Sequence, residues 1–143
     1  ARFSSATSRC PATCNFSQLE SVNPMSDKKA LRVLFCIGIN QNFFDAPRPE
    51  ALEVWAAFGA MWNGIADLPG VTVLGNMDDD QSMVGPSAGW PWTTYLLADV
   101  PDIETVHAAC NLFRTTAVGD GPYKLWKYCK VEARTGRELI IQR

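Results

Sequence analysis

The sequence has neither a large excess of one charge nor a long apolar run. It carries 13 Lys and Arg residues against 15 Asp and Glu residues, a formal net charge of −2. A domain that binds nucleic acid instead gathers Lys and Arg on one face. The longest apolar stretches, such as residues 31–35 and 71–74, end far short of the roughly 20 residues that a membrane-spanning helix needs. We therefore expect neither nucleic acid nor a membrane as a partner.

The sequence also lacks the motifs that bind nucleotides and metal ions. No glycine-rich phosphate-binding fingerprint is present. The acidic run of Asp78, Asp79 and Asp80 has neither the spaced oxygen ligands nor the distal Glu of a calcium loop, so it predicts a turn. His107 is the only histidine, which leaves haem a single natural axial ligand. We expect no cofactor and no metal ion.

The cysteines indicate a reducing compartment. Five cysteines are an odd number, and Cys36, Cys110 and Cys129 lie within apolar patterns, where a free thiol behaves as a small core residue. This favours a cytoplasmic protein. Cys10 and Cys14 differ, because they lie in a polar segment and can close a small loop or hold a metal ion, although no second pair of close ligands accompanies them.

The first 24 residues differ in composition from the rest of the chain. Residues 1–24 are rich in Ser, Thr, Asn and Pro, contain no acidic residue before Glu20, and show neither a helical nor a strand period. The sequence from Met25 onward reads as a natural beginning. Two explanations stay open: a leader sequence added upstream, and a transit peptide, whose Arg- and Ser-rich composition is partly matched. We favour the leader and place one domain over residues 25–143.

Residues 25–143 show the patterns of four strands and two long helices. With 47% hydrophobic and 20% charged residues, the chain has the composition of a globular protein with one core. Apolar residues alternate over 31–39, and turn residues separate the later elements. The predicted strands cover 31–39, 71–77, 93–98 and 123–133, one helix begins near Pro47 and Pro49, and Asp102 caps the other. We expect a further short strand in 134–143 to reach a partner.

Both predicted helices carry apolar faces. The first helix has two apolar stripes at spacings of three and four residues, which predicts burial on two sides. The stripes are Leu52, Trp55, Gly59, Trp62 and Ala66, and Val54, Phe58, Met61 and Ile65. The inner face of the second helix is predicted to contain Ile103, Val106, His107, Cys110, Phe113 and Ala117.

The order of these elements predicts the fold class. A β-α-β-β-α-β order is the split βαβ pattern of ferredoxin-like α+β folds, in which two helices cover one face of a four-stranded antiparallel sheet. The predicted strands carry large apolar groups on both faces, so the uncovered face needs a partner. A second copy related by a twofold axis is the simplest partner. We therefore expect a homodimer that forms a dimeric α/β barrel.

Several segments together resemble a known family. They are LRVLFCIGINQNFFD over 31–45, DDDQSMVGP over 78–86, GWPW over 89–92 and CNLFRT over 110–115. Over nearly all of residues 25–143 the chain is similar to the small dimeric α/β-barrel proteins encoded in bacterial indole-3-acetic acid degradation clusters. The resemblance implies a role in aromatic catabolism with an indolic acid as ligand. The wider superfamily includes cofactor-free monooxygenases, lactone isomerases and haem proteins, so the fold leaves the reaction open.

His107 and Arg114 are the candidate polar pair of the second helix. An imidazole on the inner face can move protons near neutral pH, so we expect His107 to be the catalytic acid or base. Arg114 follows on roughly the same face and can bind a carboxylate through two hydrogen bonds. The alternatives are a core histidine bonded to a neighbour, and a helix-end arginine that binds carbonyl groups or pairs with an Asp.

Aromatic and amide side chains are the candidate substrate-binding residues. The five tryptophans lie on elements expected to surround the space between helices and sheet, where a flat ligand can stack. Trp90 and Trp92 directly follow a Gly- and Pro-rich loop over 85–89 that can act as a lid, and Tyr95 completes the predicted aromatic wall. Asn40 can orient a substrate, although turn formation or helix capping explains it equally well. Most of the tryptophans can instead be core or dimer residues.

Taken together, these features predict a small cofactor-independent enzyme that acts on an indolic acid intermediate. Oxygenation, isomerisation and hydration stay open as reactions. The alternative is a non-catalytic binding or accessory protein that shields a pathway intermediate or docks onto a partner oxygenase. A third interpretation makes the aromatic side chains pure core, with no cavity between helices and sheet.

Overall fold

The chain forms one antiparallel sheet with helices packed against it. A computed structural model describes residues 29–86 and 88–143. Over these ranges the strands are β1 Leu31–Ile39, β2 Thr72–Asp78, β3 Thr94–Val100 and β4 Cys129–Gly136, and the helices are α1 Gln41–Asp45, α2 Arg48–Ala66 and α3 Ile103–Thr115, with one 3-10 turn at Leu125–Lys127. The predicted leader over 1–24, with Cys10 and Cys14, lies outside the described residues.

The strand order places β1 in the interior of the sheet. The four strands follow the order β2-β3-β1-β4, and every neighbouring pair is antiparallel. β1 therefore bonds to β3 on one side and β4 on the other. The prediction of an α+β fold with a four-stranded antiparallel sheet is confirmed, and the arrangement is compatible with a ferredoxin-like fold.

The core lies between the two long helices and one face of the sheet. Val33, Phe35 and Ile37 alternate along β1 and are completely buried, as are Leu96 and Ala98 of β3. The buried residues of α2 are Val54, Ala57, Met61 and Ile65, and those of α3 are Val106, Ala109 and Phe113. All of them belong to one cluster, so both helices cover the same face. Each large side chain in it contributes roughly 1.5–3 kcal/mol relative to an exposed position.

The helix ends follow the signals in the sequence. Asp102 caps α3, because its Oδ1 accepts a hydrogen bond from the Thr105 amide at 2.9 Å. Gly70 follows α2 with a φ of 79°, a conformation that glycine adopts without strain.

The prediction of burial on two sides of the first helix is wrong in the single chain, since Leu52 is 58% exposed and Trp55 is 66% exposed.

The fourth strand begins later than the alternation predicts. Residues 123–133 were expected to be extended, but the chain turns at Leu125–Lys127 and the strand covers Cys129–Gly136. The Tyr128 amide donates to the Leu125 carbonyl at 2.9 Å, and both side chains are buried. A spacing of three residues between buried positions belongs to a 3-10 turn.

The C-terminal segment forms no strand in the single chain. Residues 137–143 have no regular secondary structure, and Leu139, Ile140 and Ile141 are 81%, 69% and 74% exposed. A strand here that pairs with a partner stays a prediction.

The predicted free thiols are confirmed for Cys36 and Cys129, which are buried, and for the half-buried Cys110.

Gly38 permits a close approach between β1 and the segment before β3. The Thr93 amide donates to the Ile37 carbonyl at 2.9 Å, which brings the Pro91 carbonyl over Gly38. A Cβ atom at position 38 would lie 2.5 Å from that carbonyl oxygen and 2.9 Å from Cε of Lys130.

We predict that Gly38→Ala lowers the free energy of unfolding by about 1–3 kcal/mol, because the added methyl group overpacks this contact. Gly75→Ala is the matched control in β2, since no atom lies within 4 Å of a Cβ there. We expect it to change stability by no more than about 0.5 kcal/mol. Urea denaturation followed by circular dichroism measures both, and equal effects would contradict the packing argument.

Candidate functional site: an aromatic cleft between α2 and the sheet

A cleft of about 420 Å³ opens between α2, the β2–β3 end of the sheet and the 3-10 turn. Its volume lies within the range of small-molecule binding sites, roughly 300–1,000 Å³. We call it the aromatic cleft. It is lined by Ile39, Phe43, Val54, Trp55, Phe58, Gly59, Trp62, Asn63, Asn76, Met77, Asp78, Thr94, Leu125, Tyr128 and Cys129. The interpretation without a cavity does not fit this geometry.

The helix side of the cleft is a row of three aromatic rings. Trp55, Phe58 and Trp62 follow one another at spacings of three and four residues, which places them on one face of α2. The Trp55 and Phe58 rings stack at 5.9 Å with an interplanar angle of 10°, and Phe58 and Trp62 lie 5.7 Å apart at 33°. Gly59 leaves space beside the row, since no atom lies within 4 Å of a Cβ there. The row gives this side of the cleft an aromatic, apolar wall against which a planar ligand can pack.

The sheet side of the cleft is polar because β2 contains a bulge. The register with β3 shifts between Val73 and Gly75, so that Asn76 pairs with Leu96 and Asp78 pairs with Thr94. Leu96 faces the core, and side chains directly opposite each other share a face of the sheet. A bulge inserts one residue and moves all later side chains to the other face. The bulge therefore turns Asn76 and Asp78 toward α2.

Two titratable groups in the deepest part of the cleft stay protonated at neutral pH. Burial, followed by the hydrogen bond that the Tyr128 hydroxyl donates to Glu50, raises the pKa of Tyr128 to about 12. Burial raises the pKa of Cys129 to about 12, and its Sγ lies 3.5 Å from the Leu125 carbonyl. Neither group is an anionic nucleophile near neutral pH. Among the described residues that line the cleft, Asp78 carries the only charge.

A second groove of about 530 Å³ lies on the outer face of the sheet, away from the helices. The Tyr95 hydroxyl is its hydrogen-bonding centre: it accepts from the Trp90 indole N–H at 2.6 Å and lies 3.1 Å from an Asp79 carboxylate oxygen. Burial is the main cause of a raised pKa of Tyr95. Trp92 lies close by in sequence, with the Lys130 ammonium 5.6 Å from its ring. The groove is lined by Leu34, Gly75, Asn76, Met77, Asp79, Tyr95 and Leu97.

None of the six predicted site residues lines the aromatic cleft. The structure brings Trp90 and Tyr95 into hydrogen-bonding contact, but Tyr95 faces the outer groove, so the expectation that this aromatic wall borders the space between helices and sheet is wrong. Asn40 lies at the end of β1, where its side-chain Nδ2 donates to the Lys127 carbonyl at 3.2 Å. Asn42 donates to the same carbonyl at 2.8 Å, so both tie α1 to the 3-10 turn.

His107 and Arg114 lie on the exposed side of α3. The buried residues of this helix are Val106, Ala109 and Phe113, and residue 107 is rotated by about 100° from residue 106. The prediction that His107 belongs to the inner face is therefore wrong. Arg114 donates from Nε to the Asn111 side chain at 2.8 Å, one turn earlier on the same helix. The proposed acid–base and anchoring roles themselves stay predictions.

The sequence indicated one wall of the cleft and gave no signal for the other. Trp55 and Trp62 stand seven residues apart, two helical turns, and both were expected near the space between helices and sheet. The structure confirms that position for both. Asn76 and Asp78 were missed, because Asp78 was assigned to a turn and only the bulge at Gly75 decides which face they occupy.

Neither similarity to known proteins nor a cluster of metal ligands assigns this site. Protein-family models, curated proteins and solved structures give no match to the chain. Over residues 29–86 and 88–143, no group of three or more His, Cys, Asp or Glu side chains is placed to hold a metal ion. In the same residues no helix has the length and apolar character needed to cross a membrane.

We predict that Tyr95→Phe lowers the free energy of unfolding by about 0.5–1.5 kcal/mol, because the Trp90 indole loses its hydrogen-bond acceptor. The exchange of the Trp90 indole proton, followed by NMR, should become faster. Tyr123→Phe is the matched control: Tyr123 is 52% exposed, and its ring contact with Lys127 survives the change. Unchanged exchange in Tyr95→Phe would contradict the role of this hydroxyl.

Proposed function

We propose that this chain binds a small planar aromatic compound, of the indolic type, in the aromatic cleft. The observation that carries the proposal is the row of Trp55, Phe58 and Trp62, which faces a polar strand end across an open space. Stacked or offset ring contacts contribute about 0.5–1.5 kcal/mol each beyond the burial of their area. A pocket with an apolar wall and a few polar groups on the other side is the usual form of a small-molecule site.

The cleft favours a binding or accessory protein over an enzyme with His107 as its acid or base. His107 and Arg114 lie outside the cleft, and Tyr128 and Cys129 hold their protons at neutral pH. The cofactor-free enzyme of indolic-acid catabolism stays the second candidate, because the Asp78 carboxylate is available in the cleft to accept a proton. A cytoplasmic location suits the free thiols of Cys36 and Cys110.

We predict that Trp55→Ala weakens the binding of indole-3-acetate about five- to tenfold, because one stacking ring is lost. Trp126→Ala is the matched control: Trp126 is 59% exposed, against 66% for Trp55, and does not line the cleft. Isothermal titration calorimetry is the suitable measurement, since the ligand and the tryptophans emit in the same wavelength range.

The same mixtures decide between the two forms of the proposal. Mass spectrometry that finds a converted product supports the enzyme, and binding without conversion supports the accessory protein. The absence of binding for indole-3-acetate and its neutral ring analogues, or an equal loss of affinity in Trp55→Ala and Trp126→Ala, would contradict ligand binding in this cleft.

We also propose that the fold is of the ferredoxin-like type and that two copies pair through their outer sheet faces as a dimeric α/β barrel. The outer face presents Leu34 and Leu97, which are half-buried, and Met77, which is 56% exposed. Two ion pairs border this apolar surface: Arg32 with Asp99 at 2.9 Å, and Arg134 with Glu132 at 3.2 Å. The hydrogen bond from Arg32 lowers the pKa of Asp99. A surface with an apolar centre and both signs of charge can complement itself across a twofold axis.

We predict that the chain of 15.8 kDa sediments with twice that mass, and that Leu97→Glu converts it to a monomer with an unchanged circular dichroism spectrum. A charge at the centre of an apolar interface cannot be desolvated without a large cost. Leu52→Glu is the matched control, on the exposed side of α2. Analytical ultracentrifugation distinguishes the species, and a monomeric unaltered chain would contradict the pairing.

A further inference from the structure

Among the residues that the structure describes, Asp78 is the one charged side chain in the aromatic cleft and has no side-chain partner. Over the described residues its carboxylate makes neither an ion pair nor a hydrogen bond. The adjacent acid Asp79 faces the other side of the sheet and contacts the Tyr95 hydroxyl at 3.1 Å. Asp78 is therefore the only member of the acidic run that is both directed at the cleft and uncommitted.

The position of Asp78 follows from the backbone of two strands. It is the last residue of β2, it pairs with Thr94 of β3, and the β2 bulge turns it toward the helices. The Asp79 amide donates to the Thr93 carbonyl at 3.0 Å, which continues the ladder one residue past Asp78. Hydrogen bonds on both sides of the residue thus fix its backbone, and with it the face of the sheet from which its exposed side chain projects.

The two walls of the cleft set different requirements for a ligand. A planar ring that packs beside the aromatic row can meet a carboxylate of the sheet favourably only through its edge, where substituents and ring hydrogens lie, because the ring face is electron-rich. A carboxylate can only accept hydrogen bonds, so the edge that meets Asp78 needs a donor. The amides of Asn63 and Asn76 both donate and accept, so they accommodate either kind of edge. Asp78 alone among the cleft residues discriminates between them.

We propose that Asp78 is the specificity-determining residue of the aromatic cleft, and that it selects planar aromatic ligands with a hydrogen-bond donor, such as a ring N–H, on the edge. The inference rests on the proposed binding function and adds the chemistry of the ligand to it. An anionic substituent on such a ligand lies at the open side of the cleft, because none of the Lys, Arg and His residues within 29–86 and 88–143 lines the interior beside Asp78.

A pair of neutral ligands tests the donor directly. The probes are 3-methylindole and 3-methylbenzofuran, which have nearly the same shape and differ in a ring N–H against a ring oxygen. Because both are uncharged, removal of the Asp78 charge does not by itself favour one of them. Isothermal titration calorimetry is carried out on the full chain and on the Asp78→Ala and Asp80→Ala variants.

We expect the unaltered chain to bind 3-methylindole about tenfold more tightly than 3-methylbenzofuran, since a hydrogen bond to a charged group is lost with the second ligand. Asp78→Ala should bring the two affinities to within about twofold of each other. Asp80→Ala should keep the tenfold preference, because Asp80 belongs to the same acidic run but does not line the cleft.

The outcomes separate this inference from the function on which it rests. If both ligands bind and the unaltered chain shows no preference, or if Asp78→Ala keeps the preference, the assignment of Asp78 is overturned and ligand binding in the cleft stands. If neither ligand binds to the unaltered chain, the binding function is overturned together with the role of Asp78.

Discussion

The structure depends on the burial of β1 between two hydrogen-bonded neighbours. Val33, Phe35 and Ile37 project from this strand into the core with no exposed surface, and they provide the floor on which α2 and α3 pack. Their alternation leaves the other side chains of β1 on the outer face. The helices can cover only the face that these three residues define. The position of α2, and with it the row of aromatic rings, is therefore a consequence of the period of β1.

The aromatic cleft lies beyond the core, where α2 and the sheet are no longer in contact with each other. The buried stripe of α2 continues from Val54 to Ile65, while the aromatic row next to it lines the cleft together with residues of β2. β2 is an edge strand and carries the bulge, two features that often occur together next to functional sites. The bulge exchanges an apolar side chain for polar ones on the face toward α2. One wall is thus set by helical spacing and the other by an irregularity of the sheet.

The strongest local patterns in the sequence predicted their elements correctly, and the weaker ones did not. The five alternating apolar residues of 31–39 defined β1, and the Asp102 cap defined the start of α3. Assignment of a helical face needs more precision, because neighbouring residues of a helix point about 100° apart. His107 was therefore predicted on the buried face, although it lies one residue after that face, on the surface. The turn at Leu125–Lys127 buries residues three apart, which alternation does not represent. The face of the sheet that Asp78 occupies depends on the register of β2 with β3. The residues next to Asp78 in the sequence do not determine that register.

Consecutive residues at the end of β2 contribute to surfaces on opposite faces of the sheet. Asp78 and Thr94 face the aromatic cleft, while Asp79 and Tyr95, the next residues along each strand, face the outer groove. The four residues share two adjacent stretches of backbone held by the bond from the Asp79 amide to the Thr93 carbonyl. A change in the backbone here would therefore reach side chains on both faces of the sheet, because consecutive residues of a strand project to opposite sides. The surface toward the helices and the surface on the outer side are thus joined through a single layer of peptide at this point.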